Sequence, residues 1–443
     1  MTSDPPNSTD GPRNMVADVA RTLPANDQLA HVFYEERTDL RITLASSGLR
    51  DVVSTRTRGA VISGRHSVHL TDPSFLGPPW ITPAGALQGA GELRHADQNW
   101  VADLEAAVIR GGTTASRGRR DPFWSVKLVS FHQEVWVGLP GRDVVSDPRA
   151  GCRMEIRAQI DNERGASAVE ELVLAPGSAP RVTEAFARAF ERAETRASIS
   201  SPPKPGSTAA VFAPGVAGVI AHEMIGHALE GDVVARDQTW IRAAASSAAI
   251  APVTVIDDPR RGRGAWLVDD EGVVSGETLL IERGRSVGML LDRSSARAQG
   301  RVSTGHGRRS SYLDPVRPRM GCTFIAPGGD DPFDLLRGTR EGVFIRRMTA
   351  GQTDPISGRA SFVVVDADRI VDGRLAEPVD IFVLELDGHD SWNSIDRIAH
   401  DLAFDTCIGS CVRDGQPLAV SVGAPTIRIG VARVHSWAET EGL

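Results

Sequence analysis

The stretch Ser198-Ile-Ser-Ser-Pro-Pro-Lys-Pro-Gly-Ser-Thr208 divides the chain into two halves of different character. Pro202, Pro203 and Pro205 remove backbone donors and cannot continue a helix, so an element must end there. Just upstream, Val182 to Ala197 is alanine-rich with Phe186 and Phe190 four residues apart, the spacing of one helix face. Further back, helical spacing recurs at Val16 to Leu23 and Asn99 to Ile109. Strand-like alternation marks His31 to Glu36, Leu40 to Ala45, Leu49 to Arg56, Ser125 to Val137, Arg153 to Ile160 and Glu170 to Ala175. Pro- and Gly-rich punctuation fills Asp72 to Gly91. Downstream of the divide, an apolar run, Val211 to Ala221, leads into His222-Glu-Met-Ile-Gly-His-Ala-Leu-Glu-Gly-Asp232. Thereafter β character dominates, from Val253 to Asp257 through Ala265 to Val268 and Ala360 to Ile370 to a closing strand at Thr426 to Val434, with one more helix expected at Trp392 to Phe404. The expected fold is α+β: an N-terminal antiparallel sheet with helices, then a mostly-β C-terminal domain carrying the H-E-x-x-x-H helix. A disordered tail is placed at 1–14, the first domain at 15–200 and the second at 208–443.

A length of 443 residues suits two or three domains, each with its own core. Lys and Arg total 49 against 57 Asp and Glu, a net charge of -8, which argues against nucleic acid as a partner. Only Lys127 and Lys204 are lysines, and neither follows a glycine, so the phosphate-cradling G-K-[ST] loop is absent and P-loop, kinase and Schiff-base chemistries fit poorly. Four cysteines in so long a chain do not form a disulfide framework. The opening residues show no basic-then-apolar leader, and the least polar stretch, Ala243 to Ile256, is too short to span a bilayer. A cytoplasmic protein with reduced thiols and no membrane contact is expected.

Chemistry concentrates at His222-Glu223-x-x-x-His227. Neutral imidazoles are common metal ligands, and a glutamate beside one can act as general base toward metal-bound water. The familiar H-E-x-x-H motif puts its histidines about 40° apart around a helix, whereas a five-residue spacing puts them roughly 140° apart. Convergence on one ion therefore requires a local distortion such as a π-bulge, which Gly226 eases. The same pattern also suits two helical histidines satisfied by neighbours. A zinc site needs a third ligand. Candidates are Glu230 and Asp232, His306, His389, His400 and His435, and the cysteines, including Cys407 and Cys411 in a glycine-containing stretch. Two other patterns carry less. Gly284-Arg-Ser-Val-Gly288 satisfies the hydrolase nucleophile elbow but lies between two strand-like runs, so it reads as a hairpin turn. Arg308-Arg309 and Arg346-Arg347 read as surface charge.

Together these residues resemble the TldD/PmbA family of modulator proteases. The resemblance rests on H-E-x-x-x-H-x-L-E-G-D preceded by Ala213-Pro-Gly-Val-Ala-Gly-Val219. It continues through Val253-Thr-Val-Ile-Asp-Asp258, Val268-Asp-Asp-Glu-Gly272, Thr304-Gly-His-Gly-Arg-Arg309, Arg317-Pro-Arg-Met320 and Arg346-Arg-Met-Thr-Ala-Gly-Gln352. It ends with Cys411-Val-Arg-Asp-Gly-Gln416 and Val-Gly-Ala-Pro-Thr at 422–426. It covers 208–434 in order and is weak before residue 200. The resemblance implies a Zn2+-dependent peptidase with His222, His227 and Cys411 as ligands and Glu223 as general base. It selects Cys411 over Cys407 because only Cys411 precedes x-[RK]-[DE]-G-Q. It further implies a peptide substrate that is unfolded or flexible, and a metal-bearing TldD-type subunit working with a TldE/PmbA-like partner or as a homodimer. The alternative is a non-catalytic assembly or peptide-binding subunit. The short first domain, Val412 after the cysteine and the extra thiol of Cys407 depart from the family pattern.

Overall fold

The structure, a computed structural model, describes residues 10–64, 68–70, 98–160, 167–173, 180–198, 203–236, 239–241, 253–349, 351–405 and 409–436. The punctuated stretch Asp72 to Gly91 and Cys407 lie outside the described residues.

The first half is a six-stranded antiparallel sheet built from β1 (His31–Ala45), β2 (Arg50–Ser63), β3 (Val68–Leu70), β4 (Phe123–Gly138), β5 (Val145–Gln159) and β6 (Ser167–Val173), in the order β3-β2-β1-β4-β5-β6. The two runs expected at 31–36 and 40–45 are one strand, in unbroken register with β4 from Val32↔Gly138 to Ala45↔Ser125. Alternation sorts the side chains by face. Val32, Tyr34, Leu40, Ile42 and Leu44 of β1 point to the side covered by helices α1 (Asp10–Thr22), α2 (Gln98–Ser116) and α3 (Pro180–Ser198). There Phe186 and Phe190 of α3 are fully buried, Phe186 meeting Trp124 edge-on at 5.3 Å between centroids. Helix α1 begins at Asp10, so Asp10 to Asn14 are not part of a disordered tail. Burial of Val16 and Ala20 against the sheet fixes this helix, and adding one more turn to a docked helix needs no new nucleus.

The odd-numbered side chains of β1 face the second half. Phe33, Val61, Val135 and Val137 bury against Tyr312, and Glu35 accepts the Tyr312 backbone N–H at 2.7 Å. The second half holds two large sheets. In one, Glu341–Met348, Gly206–Phe212, Ile427–Ser436, Phe382–Leu386 and Arg359–Val371 pair in turn, and the last pairs back to the first, closing a ring. In the other, Cys322–Ile325 lies between Val255–Asp257, antiparallel, and Ser421–Ala424, parallel. The main core lies between these sheets, and the apolar run entering the histidine motif passes through it: Ala217, Ile220, Ala221, Met224 and Ile225 are wholly buried.

Three local expectations change. The helix expected at Trp392 to Phe404 is a single turn, Asp390–Asn393, followed by a strand, Ile395–Ile398, paired with Ile427–Ser436. The three-residue spacing of Trp392, Ile395 and Ile398 suits a helix, but an available strand edge captures the two isoleucines. Ala265 to Val268 is not a strand; only Val268 forms a bridge, to Val274. Arg308, Arg309 and Arg347 are not surface charge, being 4%, 2% and 7% exposed. By contrast, Gly284 does sit in a hairpin, between Thr278–Glu282 and Arg285–Ser286.

Candidate metal centre

The backbone solves the spacing problem of the two histidines. From Ala221 to Gly226 the chain forms a π-helical turn, and the His227 N–H donates to the His222 carbonyl five residues back. In such a turn residues i and i+5 close one hydrogen-bonded loop and therefore stack, so the two imidazoles lie on the same side. Their ring centroids are 5.1 Å apart with planes at 83°. Gly226 is required by close approach: a methyl group at this position would overlap Met320 Sδ.

Cys411 arrives from a hairpin rather than a loop tip. Ser410–Arg413 pairs with Gln416–Ala419, Cys411 opposite Leu418. Asp414 and Gly415 form its two-residue turn with φ of 49° and 77°, the left-handed pair for which Asp-Gly is suited. Buried Arg319 grips the neck of the hairpin, donating to the Cys411 carbonyl at 2.7 Å and the Gln416 carbonyl at 3.0 Å. The side chains of His222, His227 and Cys411 each offer one donor atom within 4.8 Å of the others.

Hydrogen bonding assigns the nitrogen that faces this cluster. His227 Nδ1 lies 3.1 Å from Glu230 Oε2, which also accepts from Arg413 Nη1 at 2.9 Å. A carboxylate oxygen receiving an arginine is an acceptor, so Nδ1 donates and Nε2 points to the cluster, 3.4 Å from Cys411 Sγ and 3.9 Å from Glu223 Oε2. A tetrahedral zinc with bonds of ~2.1 Å to nitrogen and ~2.3 Å to sulfur separates those atoms by about 3.5 Å, so the pair fits such an ion. His222 gives a second test. The residue is 0% exposed, and among the described residues neither of its nitrogens makes a hydrogen bond of good geometry, Cys411 being its one polar neighbour in the cluster besides His227 and Glu223. Buried polar atoms are nearly always paired, so an unpaired imidazole beside a thiol is a vacant donor. Two imidazoles and one sulfur form a set that borderline-soft zinc favours.

Electrostatics point the same way. Burial pushes the Cys411 thiol up, but His222 and His227 outweigh it and bring the group down to about 4, a thiolate at neutral pH. Burial acts against a charged His227, yet the Glu230 carboxylate and Cys411 raise its pKa well above the usual range. Burial raises Glu223, opposed in part by the two histidines, which makes this carboxylate a stronger base than a solvated one.

The other candidates fall away. Glu230 sits behind His227, and Asp232 pairs with Arg413 at 2.7 Å. His306 is buried against Asp257, its Nε2 donating at 3.1 Å. His389 lies 3.7 Å from Asp390, His400 Nδ1 is 2.9 Å from the Asp330 carbonyl, and His435 lies 3.3 Å from Glu385. Glu230, Arg413 and Arg319, which fix the donors, were not singled out from sequence for these roles. The placement of Arg413 two residues after the cysteine was the available signal.

Residues 205–436, just over half of the chain, match the profile of the PmbA/TldA metallopeptidase C-terminal domain. The chain belongs to the TldD/PmbA family of metallopeptidases. It is 33% identical over 222 residues to a metalloprotease TldD homolog of Haemophilus influenzae, covering 49% of this chain and 46% of that protein. It is 28% identical over 241 residues to a zinc metalloprotease TldD homolog of Saccharolobus solfataricus, covering 54% and 53%. The chain thus spans about half the length of the curated relatives it matches. The fold extends further: TldE from Thermococcus kodakarensis superposes with a TM-score of 0.68 over 92% of this chain and 96% of that one, at 14% identity. A Thermotoga maritima protein described as a modulator of a DNA gyrase gives 0.69 over the same shares at 16%. Among the described residues no helix is long and apolar enough to cross a membrane.

Proposed function

We propose that this chain is a zinc-dependent peptidase in which His222, His227 and Cys411 hold the ion and Glu223 is the general base. The observation that carries the reading is the convergence of three partner-seeking donors beside one buried carboxylate, supported by the zinc metalloprotease name of a relative. A bound zinc ion supplies Lewis acidity and allows water to act as a nucleophile near neutral pH. Glu223 takes the proton of the attacking water and returns it to the leaving amine. Its burial favours the protonated form, so the carboxyl is suited to hold the proton between the two transfers. The substrates are flexible peptides in the cytoplasm, and a TldE/PmbA-like subunit or a second copy completes the working assembly, a reading supported by the fold shared with TldE.

The test is Glu223→Gln, assayed with the partner subunit present and as the chain alone. Elemental analysis should find zinc retained while peptide hydrolysis falls by about 10²- to 10⁴-fold, the range for loss of a general base. Cys411→Ser should lose zinc instead. Hydrolysis by Glu223→Gln at the parent's rate would remove the proposed mechanism and favour a non-catalytic assembly subunit with a structural ion.

A further inference from the structure

We propose that Glu230 and Arg413 are positioning residues that bring the three metal donors together, one carboxylate oxygen tying the segment that carries His227 to the hairpin that carries Cys411. The inference rests on the metal-centre reading above. Glu230 is completely buried and its backbone is extended. It forms a bridge with Leu290, and the next N–H, of Gly231, donates to the Leu290 carbonyl at 2.8 Å. The carboxylate is thereby fixed to the protein body. Its Oε2 receives both His227 Nδ1–H and Arg413 Nη1, so a single atom sets the ring orientation and anchors the hairpin. Outer hydrogen-bond partners of ligating histidines act in this way, fixing tautomer and orientation.

Geometry along the strand makes the anchor effective. Cys411 and Arg413 are two residues apart on one strand and so project to the same face, whereas Val412 between them is 65% exposed. Holding the Arg413 guanidinium therefore places the sulfur. That guanidinium also reaches Asp232, Nη1 to Oδ1 at 2.9 Å and Nη2 to Oδ2 at 2.7 Å, a fork-to-fork pair of defined direction. Cys411 and His227 are 184 positions apart in sequence, and this arginine makes their meeting independent of the ion.

The experiment titrates the full-length chain with Co2+, following the thiolate-to-cobalt charge-transfer band, and obtains zinc affinity by competition. The parent should bind with that band. Glu230→Ala should weaken Co2+ binding about 10- to 100-fold. Glu230→Gln, whose amide oxygen can still accept from Nδ1–H, should restore much of the loss. Arg413→Ala should reduce the charge-transfer intensity per bound Co2+, because the histidines still bind while the sulfur is misplaced. Arg413→Lys, which keeps the charge without the fork, should fall between Arg413→Ala and the parent. Adding Arg413→Ala to Glu230→Ala should cost less than the sum of the two, since they share the Glu230–Arg413 contact while Arg413 keeps its own bonds to Asp232. A parent that binds Co2+ with the thiolate band, while Glu230→Ala and Arg413→Ala bind equally well with undiminished bands, would overturn this inference and leave the metal centre standing. A parent that binds neither Co2+ nor zinc would overturn both.

Discussion

Arg149 and His222 are both buried, yet their surroundings differ in a way that separates structure from chemistry. Every nitrogen of the Arg149 guanidinium is matched: Nε to Asp147 at 2.8 Å, Nη1 to Asp270 at 2.5 Å and Nη2 to the Val268 carbonyl at 2.7 Å. Around it the seam between the N-terminal sheet and the second half is a dense set of paired opposite charges. Asp270 also receives the Arg308 side chain and the Arg309 backbone, and Arg309 donates to His31, which burial and that arginine hold neutral by lowering its pKa to about 3. His222, by contrast, is buried with neither nitrogen in a hydrogen bond of good geometry among the described residues, and its polar neighbour is the Cys411 thiolate that it helps to stabilise. Desolvation makes an unmatched buried polar atom costly, and a ring with both nitrogens unmatched carries that cost twice unless an outside group completes it. Among the described residues the seam leaves a single atom, Arg309 Nε, unmatched within a guanidinium that is otherwise engaged, whereas the His222 ring has both nitrogens unmatched.

Breaking the seam should have the largest effect on stability. Asp270→Ala leaves Arg149 and Arg308 buried without their shared carboxylate, and removal of one partner of a buried ion pair costs about 3–5 kcal/mol. Urea denaturation of the full chain measures this. Replacing the pair together, Arg149→Met with Asp270→Leu, should recover much of the loss because no charge is then stranded. A single variant as stable as the parent would mean that the seam tolerates open valences and would weaken the contrast with His222. Gly226→Ala probes the other region. The added methyl group meets Met320, and overpacking of this kind costs about 1–3 kcal/mol. Because Gly226 ends the π-turn, its variant should also lose zinc affinity, whereas Asp270→Ala, far along the chain from the donors, should lose stability without that selectivity.

How much of this was legible beforehand follows the range of the interactions involved. The antiparallel N-terminal sheet could be read because alternation in β1 and β4 is local, while the polar middle of the face, Glu36 and Thr38, is what split β1 into two runs. The distortion between His222 and His227 was inferable because five residues do not fit one face of an α-helix, and the π-turn is its resolution. The short strand at Ile395–Ile398 could not be separated from a helix, since only its pairing partner at Ile427 to Ile429 decides between them. Buried arginines were hidden for another reason. In a chain with 49 basic residues, nearly all arginine, Arg309 and Arg319 look no different from surface positions until their partners are placed. Glu230 was visible as a carboxylate near the histidines, but whether it faced the donors or stood behind a ring depended on where Arg413 would arrive.

The smallest expected effect gives the finest test. His222→Leu and His306→Leu each replace a fully buried imidazole with an apolar side chain of similar volume but different shape, so they share a packing change. They differ in hydrogen bonds. His306 holds Asp257 through Nε2 and meets the Thr304 hydroxyl at 2.9 Å, so its loss strands polar groups and should cost about 1–3 kcal/mol beyond the shared term. Among the described residues His222 strands no hydrogen-bonded partner, though the Cys411 thiolate loses one of the two rings that favour it. In chelator-treated protein, His222→Leu should therefore denature close to the parent's midpoint and His306→Leu clearly below it. Added zinc at one hundred times its dissociation constant should stabilise the parent by ~2.7 kcal/mol. His306→Leu should retain that increment and His222→Leu should lose it. Equal destabilisation of the two variants without metal would show that the His222 nitrogens have partners after all, and the distinction between a matched and an unmatched buried imidazole would fail at its most sensitive point.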